Sequence, residues 1–157
     1  MKEQKQSGEV LRSFDSYRQS IDQAILELMQ LGEGELFEMM SYHLGYDGSA
    51  SSGEYRGKQI RPSLCMFTTE VLGGEASEAL PAAVSLELIH NFSLVHDDIQ
   101  DDDDLRRGRE SVQAKWGPEQ AINAGDGLKD LSSLALTRLG EGTQPRKTLA
   151  ALDALNS

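Results

Sequence analysis

This chain of 157 residues has a single cysteine, a shortage of cations and no uninterrupted apolar run long enough to cross a bilayer. Each shortage excludes something. One cysteine, Cys65, rules out an internal disulfide and suits a reducing compartment. Its apolar neighbours suggest a buried structural thiol rather than a nucleophile. Fifteen Lys and Arg against 26 Asp and Glu leave a net charge of -11, which argues against non-specific nucleic-acid binding. It does not exclude an anionic ligand, because a few local cations or a bound metal ion invert the local field. Residues 1–9 are polar and mixed in charge, with no secretory h-region. The longest apolar stretch, residues 79–95, is broken by Pro81, Glu87, His90 and Asn91, short of the ~20 residues a span needs. A soluble, cytoplasmic protein is the expectation.

Strand alternation and internal repeats are also lacking. What remains is helical spacing. Phe14, Tyr17, Ile21, Ile25 and Leu28 mark one amphipathic helix behind a disordered tail of residues 1–12. Leu36, Phe37 and Met40 mark a second, ending near Leu44. Residues 45–57, rich in Gly and Ser, read as an exposed loop. Pro62 fits the first turn of a helix running to Leu72, stopped by Gly73 and Gly74. The helix that begins between Ser77 and Pro81 carries apolar residues on nearly all its faces and is expected to be central and buried. A charged turn follows, then a helix over 121–139 in which Gly125 and Gly127 suggest close packing. Residues 140–145 read as a turn, and a last helical pattern starts at Thr148. The fold class is therefore all-α.

The buried helix leads into Asp97, Asp98, Asp101, Asp102, Asp103 and Asp104, six carboxylates within eight residues. Residues four apart share a helix face, so Asp97 and Asp101 project together. Two like charges this close need a cation between them. One or two carboxylates, with water and phosphate oxygens completing the shell, are what magnesium prefers. A solvated acidic helix end is the plain alternative, and an EF-hand is excluded by spacing. The surroundings favour the metal. His90 lies two turns before Asp97 on the same stripe; Arg106, Arg107 and Arg109 follow; Lys58 and Arg61 stand upstream at a helix start. Lys58, Arg61, His90, Arg106 and Arg107 can bind phosphate groups directly. Metal-bridging acids beside separate cations suggest two anionic ligands.

The run from Glu87 through Asp101, followed by Leu105-Arg106-Arg107-Gly108-Arg109, resembles the first aspartate-rich motif of the trans-isoprenyl diphosphate synthases (polyprenyl synthetases). Gly57-Lys58-Gln59-Ile60-Arg61-Pro62 is similar to that family's basic motif, and 114–117 and 121–126 look like its following helices. The resemblance spans about residues 36–139 and looks closest to the short-chain farnesyl and geranylgeranyl diphosphate synthases. It implies an antiparallel helix bundle of the isoprenoid synthase type, of which residues 1–157 would be an N-terminal portion. It also implies a prenyltransferase that condenses isopentenyl diphosphate with an allylic diphosphate, giving farnesyl or geranylgeranyl diphosphate. In that reading Asp97 and Asp101 bind Mg2+, with Asp98 in support. Arg106 contacts the allylic diphosphate, and Lys58, Arg61, His90 and Arg107 hold isopentenyl diphosphate. Phe92 and Ser93, about 6–8 Å deeper along the helix, set product length.

Three departures stand out. Position 56 is Arg where the family usually has Gly. The acidic run continues past what a metal site needs. The family's second aspartate-rich motif has no counterpart after Asp104. A short, non-catalytic homologue that pairs with a full-length synthase is therefore an alternative to the enzyme, beside the homodimer the resemblance implies. A terpene cyclase or head-to-head synthase is disfavoured by the Arg106/Arg107 and Lys58/Arg61 pairs.

Overall fold

A computed structural model of the chain describes residues 2–48, 55–138 and 145–156, with side chains from residue 13 onward. The described residues form seven helices: α1 (Lys2–Met29), α2 (Glu35–Leu44), α3 (Ile60–Val71), α4 (Leu80–Asp101), α5 (Val112–Trp116), α6 (Pro118–Thr137) and α7 (Pro145–Asn156). A 3-10 turn, Ala76–Ala79, leads into α4. Among the described residues, none of the helices is long and apolar enough to cross a membrane.

The helix signals in the sequence act where expected. Tyr17, Ile21, Ile25 and Leu28 are buried along one face of α1. Each large aliphatic side chain removed from water there contributes roughly 1.5–3 kcal/mol. Gly45 ends α2 in the left-handed region at φ 79°, a conformation that costs glycine little. Pro62 sits in the first turn of α3 and Pro118 opens α6. One expectation changes at the start. Helix α1 runs from Lys2, so residues 2–12 extend the helix instead of forming a tail. Their Lys, Gln, Glu and Leu are good helix formers, and polarity alone does not break a helix. Of the loop expected over 45–57, residues 49–54 lie outside the described residues, as do 139–144 of the expected turn before α7.

The core centres on α4 against α6, the most extensive helix pair. Ser85 bonds Ser132 at 3.0 Å, and the Phe92 ring has the Lys129 ammonium 5.7 Å from its centroid. Partners of rising number on α4 meet partners of falling number on α6, so the two helices are antiparallel. The expected close packing at the glycines is present. A side chain on Gly125 would collide with the His96 ring, and one on Gly127 would meet the Met40 sulfur at 2.8 Å. Helix α4 is not covered all round. Ala83, Val84, Leu88, Asn91 and Val95 are buried, whereas Leu86, Asp97 and Asp101 are exposed and His90 and Ser93 partly so. Those five fall at spacings of three or four, on a single stripe. That open stripe is where the candidate site lies.

Candidate functional site

Asp97, Asp98 and Asp101 occupy the last two turns of α4. Adjacent in sequence, Asp97 and Asp98 point about 100° apart on the helix and meet opposite fates. Asp97 and Asp101 project from the open stripe as exposed carboxylates, with no hydrogen bond or ion pair to any described residue. Asp98 is 1% exposed. Its Oδ1 accepts from Arg106 Nε at 2.8 Å and from Arg106 Nη2 as well. Burial raises the Asp98 carboxyl above the usual carboxylate range, and Arg106 opposes that shift. Asp98 Oδ2 remains buried without a protein partner.

The backbone beyond the expected metal pair has a structural use. Asp102 caps α4 in the left-handed region at φ 55°, where Asp is among the better-tolerated residues. The Asp103 amide donates to the Asp98 carbonyl at 2.9 Å, and Ser111 donates to the Asp104 carbonyl at 2.8 Å. Gln113 donates to both the Asp98 and Asp103 carbonyls, at 2.8 and 3.0 Å. The reversal therefore runs tightly into a two-strand hairpin, β1 (Leu105–Arg106) with β2 (Arg109–Glu110), where a charged turn was expected. Its loop, Arg107-Gly108, has φ 53° and 83°, the backbone sign of the turns that suit hairpin twist.

That hairpin aims its arginines inward. Arg106 goes to Asp98. Arg107 donates from Nη1 to the Tyr55 carbonyl at 2.8 Å and from Nη2 to Asn91 Oδ1 at 3.4 Å. Its guanidinium rests on Gly57, where an added side chain would meet it at 3.0 Å. Buried Asn91 in turn donates to the Glu87 carbonyl and carboxylate, at 2.8 and 3.1 Å. Burial raises Glu87 and lowers Arg107 from their ordinary values, while the attraction between them opposes both shifts. His43, 5% exposed near the same three arginines, is pushed down to about 3 by burial and then by their charge. Arg106 and Arg107, expected as direct ligand contacts, are thus engaged with protein groups in this structure. Glu87, Asn91, His43 and Gln113 were not read as site residues. Buried Asn and Glu within an apolar helix were the available signal; Gln113 gave none.

The cations upstream are freer. Lys58 is exposed without a partner among the described residues, and exposed Arg61 brings Nη1 to 3.3 Å from His90 Nε2. Burial and Arg61 depress His90; the guanidinium has only donors, so His90 Nε2 is the acceptor in this contact. The structure therefore joins the basic segment to the acidic stripe: Arg61 touches His90, two turns (about 10 Å) before Asp97. Between Lys58 and Arg61, Gln59 holds a left-handed backbone at φ 48°, a conformation costing a non-glycine residue on the order of 1 kcal/mol. Such strain has to be held by neighbours.

Of the two residues expected to gauge product length, Ser93 lies on the Asp97 stripe. Phe92 turns toward α6, its ring 4.5 Å from that of His96. Cys65 is half-buried rather than buried, and burial pushes its thiol up. A metal shell is not assembled from protein alone, since no group of three His, Cys, Asp or Glu is clustered for it among the described residues. Two exposed carboxylates one turn apart do fit a magnesium ion that takes its other ligands from water and phosphate.

The polyprenyl synthetase family model matches residues 48–156, which include the basic segment, the acidic run and the hairpin. The chain belongs to the polyprenyl synthetase family. Among relatives of this family, the short chain isoprenyl diphosphate synthase of Methanothermobacter thermautotrophicus is 38% identical over 144 residues, 92% of this chain and 42% of the relative. The geranylgeranyl diphosphate synthase of Methanosarcina mazei is 38% identical over 136 residues, 87% and 39% of the two chains. The structure of geranylgeranyl pyrophosphate synthetase from Pyrococcus horikoshii superposes with a TM-score of 0.78 at 34% identity, over 94% of this chain and 42% of that one. A polyprenyl synthetase from Streptomyces coelicolor gives 0.79 at 33%, over 94% and 44%. The helical bundle is therefore that of the family's synthases, and the chain spans about two-fifths of the length of these relatives.

Proposed function

We propose that this chain carries the first-motif half of a trans-prenyltransferase centre, joining isopentenyl diphosphate to an allylic diphosphate with Mg2+. The reading rests on the family and on one feature of the fold. Asp97 and Asp101, exposed and without a partner among the described residues, share an open stripe with His90, which touches Arg61 of the basic segment. Asp97 and Asp101 would hold the metal and, through it, the allylic diphosphate. When bound, magnesium neutralises the charge that develops on the leaving diphosphate.

The protein's own part is positioning. Lys58, Arg61 and His90 would hold isopentenyl diphosphate, fixing its double bond against the allylic carbon. The allylic C–O bond breaks with its electron pair leaving on diphosphate. The double bond then forms the new C–C bond, and a proton is lost from the adjacent carbon. Asp98 supports the site by pairing Arg106. Arg106 and Arg107 would reach ligand only by giving up part of their present hydrogen bonds. Short products, farnesyl or geranylgeranyl diphosphate, follow from a bulky Phe92 and from Ser93 beneath the acids. Phe92→Ala should then lengthen the product, and an unchanged distribution would remove Phe92 from that role.

The test is incubation of the chain with Mg2+, isopentenyl diphosphate and geranyl or farnesyl diphosphate. Magnesium-dependent elongated product supports the reading. A folded chain that neither elongates nor binds either diphosphate contradicts it.

A further inference from the structure

The arginine at position 56, where the family usually has glycine, has a partner on a distant helix. Asp22, midway along α1, accepts from Arg56 Nη1 at 2.9 Å through Oδ2. Its Oδ1 accepts from Gln59 Nε2 at 2.7 Å and from the Tyr46 hydroxyl at 2.5 Å. Arg56 also lies over the Tyr46 ring, 4.3 Å from its centroid, and donates to the Gly45 carbonyl at 3.4 Å. Asp22 and Arg56 side chains are only 24% and 28% exposed, so solvent screens this pair less than a surface ion pair.

The arrangement brackets Lys58. One carboxylate holds the residue two before it and the residue one after it. The second of these, Gln59, is the strained left-handed residue that opens α3 and sets the direction from Lys58 to Arg61. Arg107 of the hairpin holds the Tyr55 carbonyl. The backbone between 55 and 59 is thus held from α1 and from the hairpin, while the Lys58 side chain projects free.

We propose that Asp22 is a positioning residue for the second diphosphate. By clamping Arg56 and Gln59 it sets where Lys58 and Arg61 stand, and so the affinity of the metal-independent diphosphate subsite. This rests on the reading of Lys58 and Arg61 as diphosphate ligands. Asp22 itself does not touch the ligand, so its removal acts on the basic subsite and leaves the Asp97/Asp101 subsite intact.

The test is calorimetric titration of the full chain with inorganic pyrophosphate, first with EDTA present and then with Mg2+. The variants are Asp22→Ala, Asp22→Glu, Gln59→Ala and Lys58→Ala. Asp22→Ala should raise the metal-free Kd about tenfold, because displaced cations lose most of their orientation advantage. Asp22→Glu should recover part of that loss. Gln59→Ala, which keeps the ion pair and removes one arm, should cost about threefold and serves if Asp22→Ala fails to fold. The gain in affinity on adding Mg2+ should match wild type in all Asp22 and Gln59 variants. A folded Asp22→Ala or Gln59→Ala whose metal-free Kd stays within twofold of wild type overturns the clamp. Unchanged binding by Lys58→Ala would instead overturn the functional reading beneath it.

Discussion

Asp97 and Asp98 are neighbours in one acidic run, yet one is exposed and untethered while the other is 1% exposed and doubly bonded to Arg106. The difference comes from helical phase. A step of about 100° turns Asp97 onto the open stripe of α4 and Asp98 under the hairpin. Carboxylates on the stripe remain available to a cation, whereas the Asp98 carboxylate holds Arg106 and the backbone of Asp98, Asp103 and Asp104 fixes the reversal. Under the proposed function a run of acids is thus two devices, a ligand face and a scaffold, and side-chain count does not separate them.

The contrast is sharpest in its response to acid. His43, beneath the hairpin, is held at about 3, below the ordinary 6.5 of an unfolded histidine. The unfolded chain therefore binds the extra proton first. The stabilisation is complete above pH 6.5 and lost as pH falls toward 3, amounting to several kcal/mol across that window. Urea unfolding between pH 7 and 5 should show stability falling with pH in the wild type, and His43→Leu should flatten that slope.

Substitution of the exposed acid tests the other region. Asp97→Asn should weaken pyrophosphate binding in Mg2+ by at least about tenfold, the whole of the gain that the metal gives wild type. Its folding stability should stay within about 0.5 kcal/mol of wild type, as for ordinary surface changes. Asp98→Ala should do the reverse in kind. It leaves Arg106 half-buried and unpaired and should cost about 2 kcal/mol in denaturant unfolding, less than a fully buried pair would. Equal stability losses for the two would erase the distinction. The smallest effect is expected where α4 is pinned to α6. Gly125→Ala drives a methyl into the His96 ring. Overpacking costs about 1–3 kcal/mol, partly offset by roughly 1 kcal/mol of helix propensity. A Tm unchanged by that variant would mean that His96 moves aside freely.

Much of this is legible in the sequence. Apolar spacing located the cores of α1, α2, α3, α4 and α6, and the punctuation by Pro62, Gly45 and Gly73 located several of their ends. The stripe of His90, Asp97 and Asp101 followed from helix geometry alone. The rest depended on pairings between distant residues, which periodicity does not encode. Nothing local to Asp22 announces Arg56 and Gln59, 34 and 37 positions away. The arginines after the acids were visible as cations, but their capture by Asp98, Asn91 and the Tyr55 carbonyl required the hairpin to fold back. Apolar residues around α4 suggested complete burial because composition does not show which face lacks a neighbour. Polar residues 2–12 suggested a tail because their low hydrophobicity hid good helix propensity.

The central claim is that Asp97 and Asp101 form a magnesium-dependent diphosphate subsite separate from a metal-free one at Lys58 and Arg61. Its most direct test is titration of wild type and Asp97→Asn with inorganic pyrophosphate, each with EDTA and with Mg2+. The account predicts that Mg2+ strengthens binding to wild type at least about tenfold, or 1.4 kcal/mol, and leaves Asp97→Asn at its metal-free affinity. Equal strengthening of both proteins by Mg2+ would contradict it.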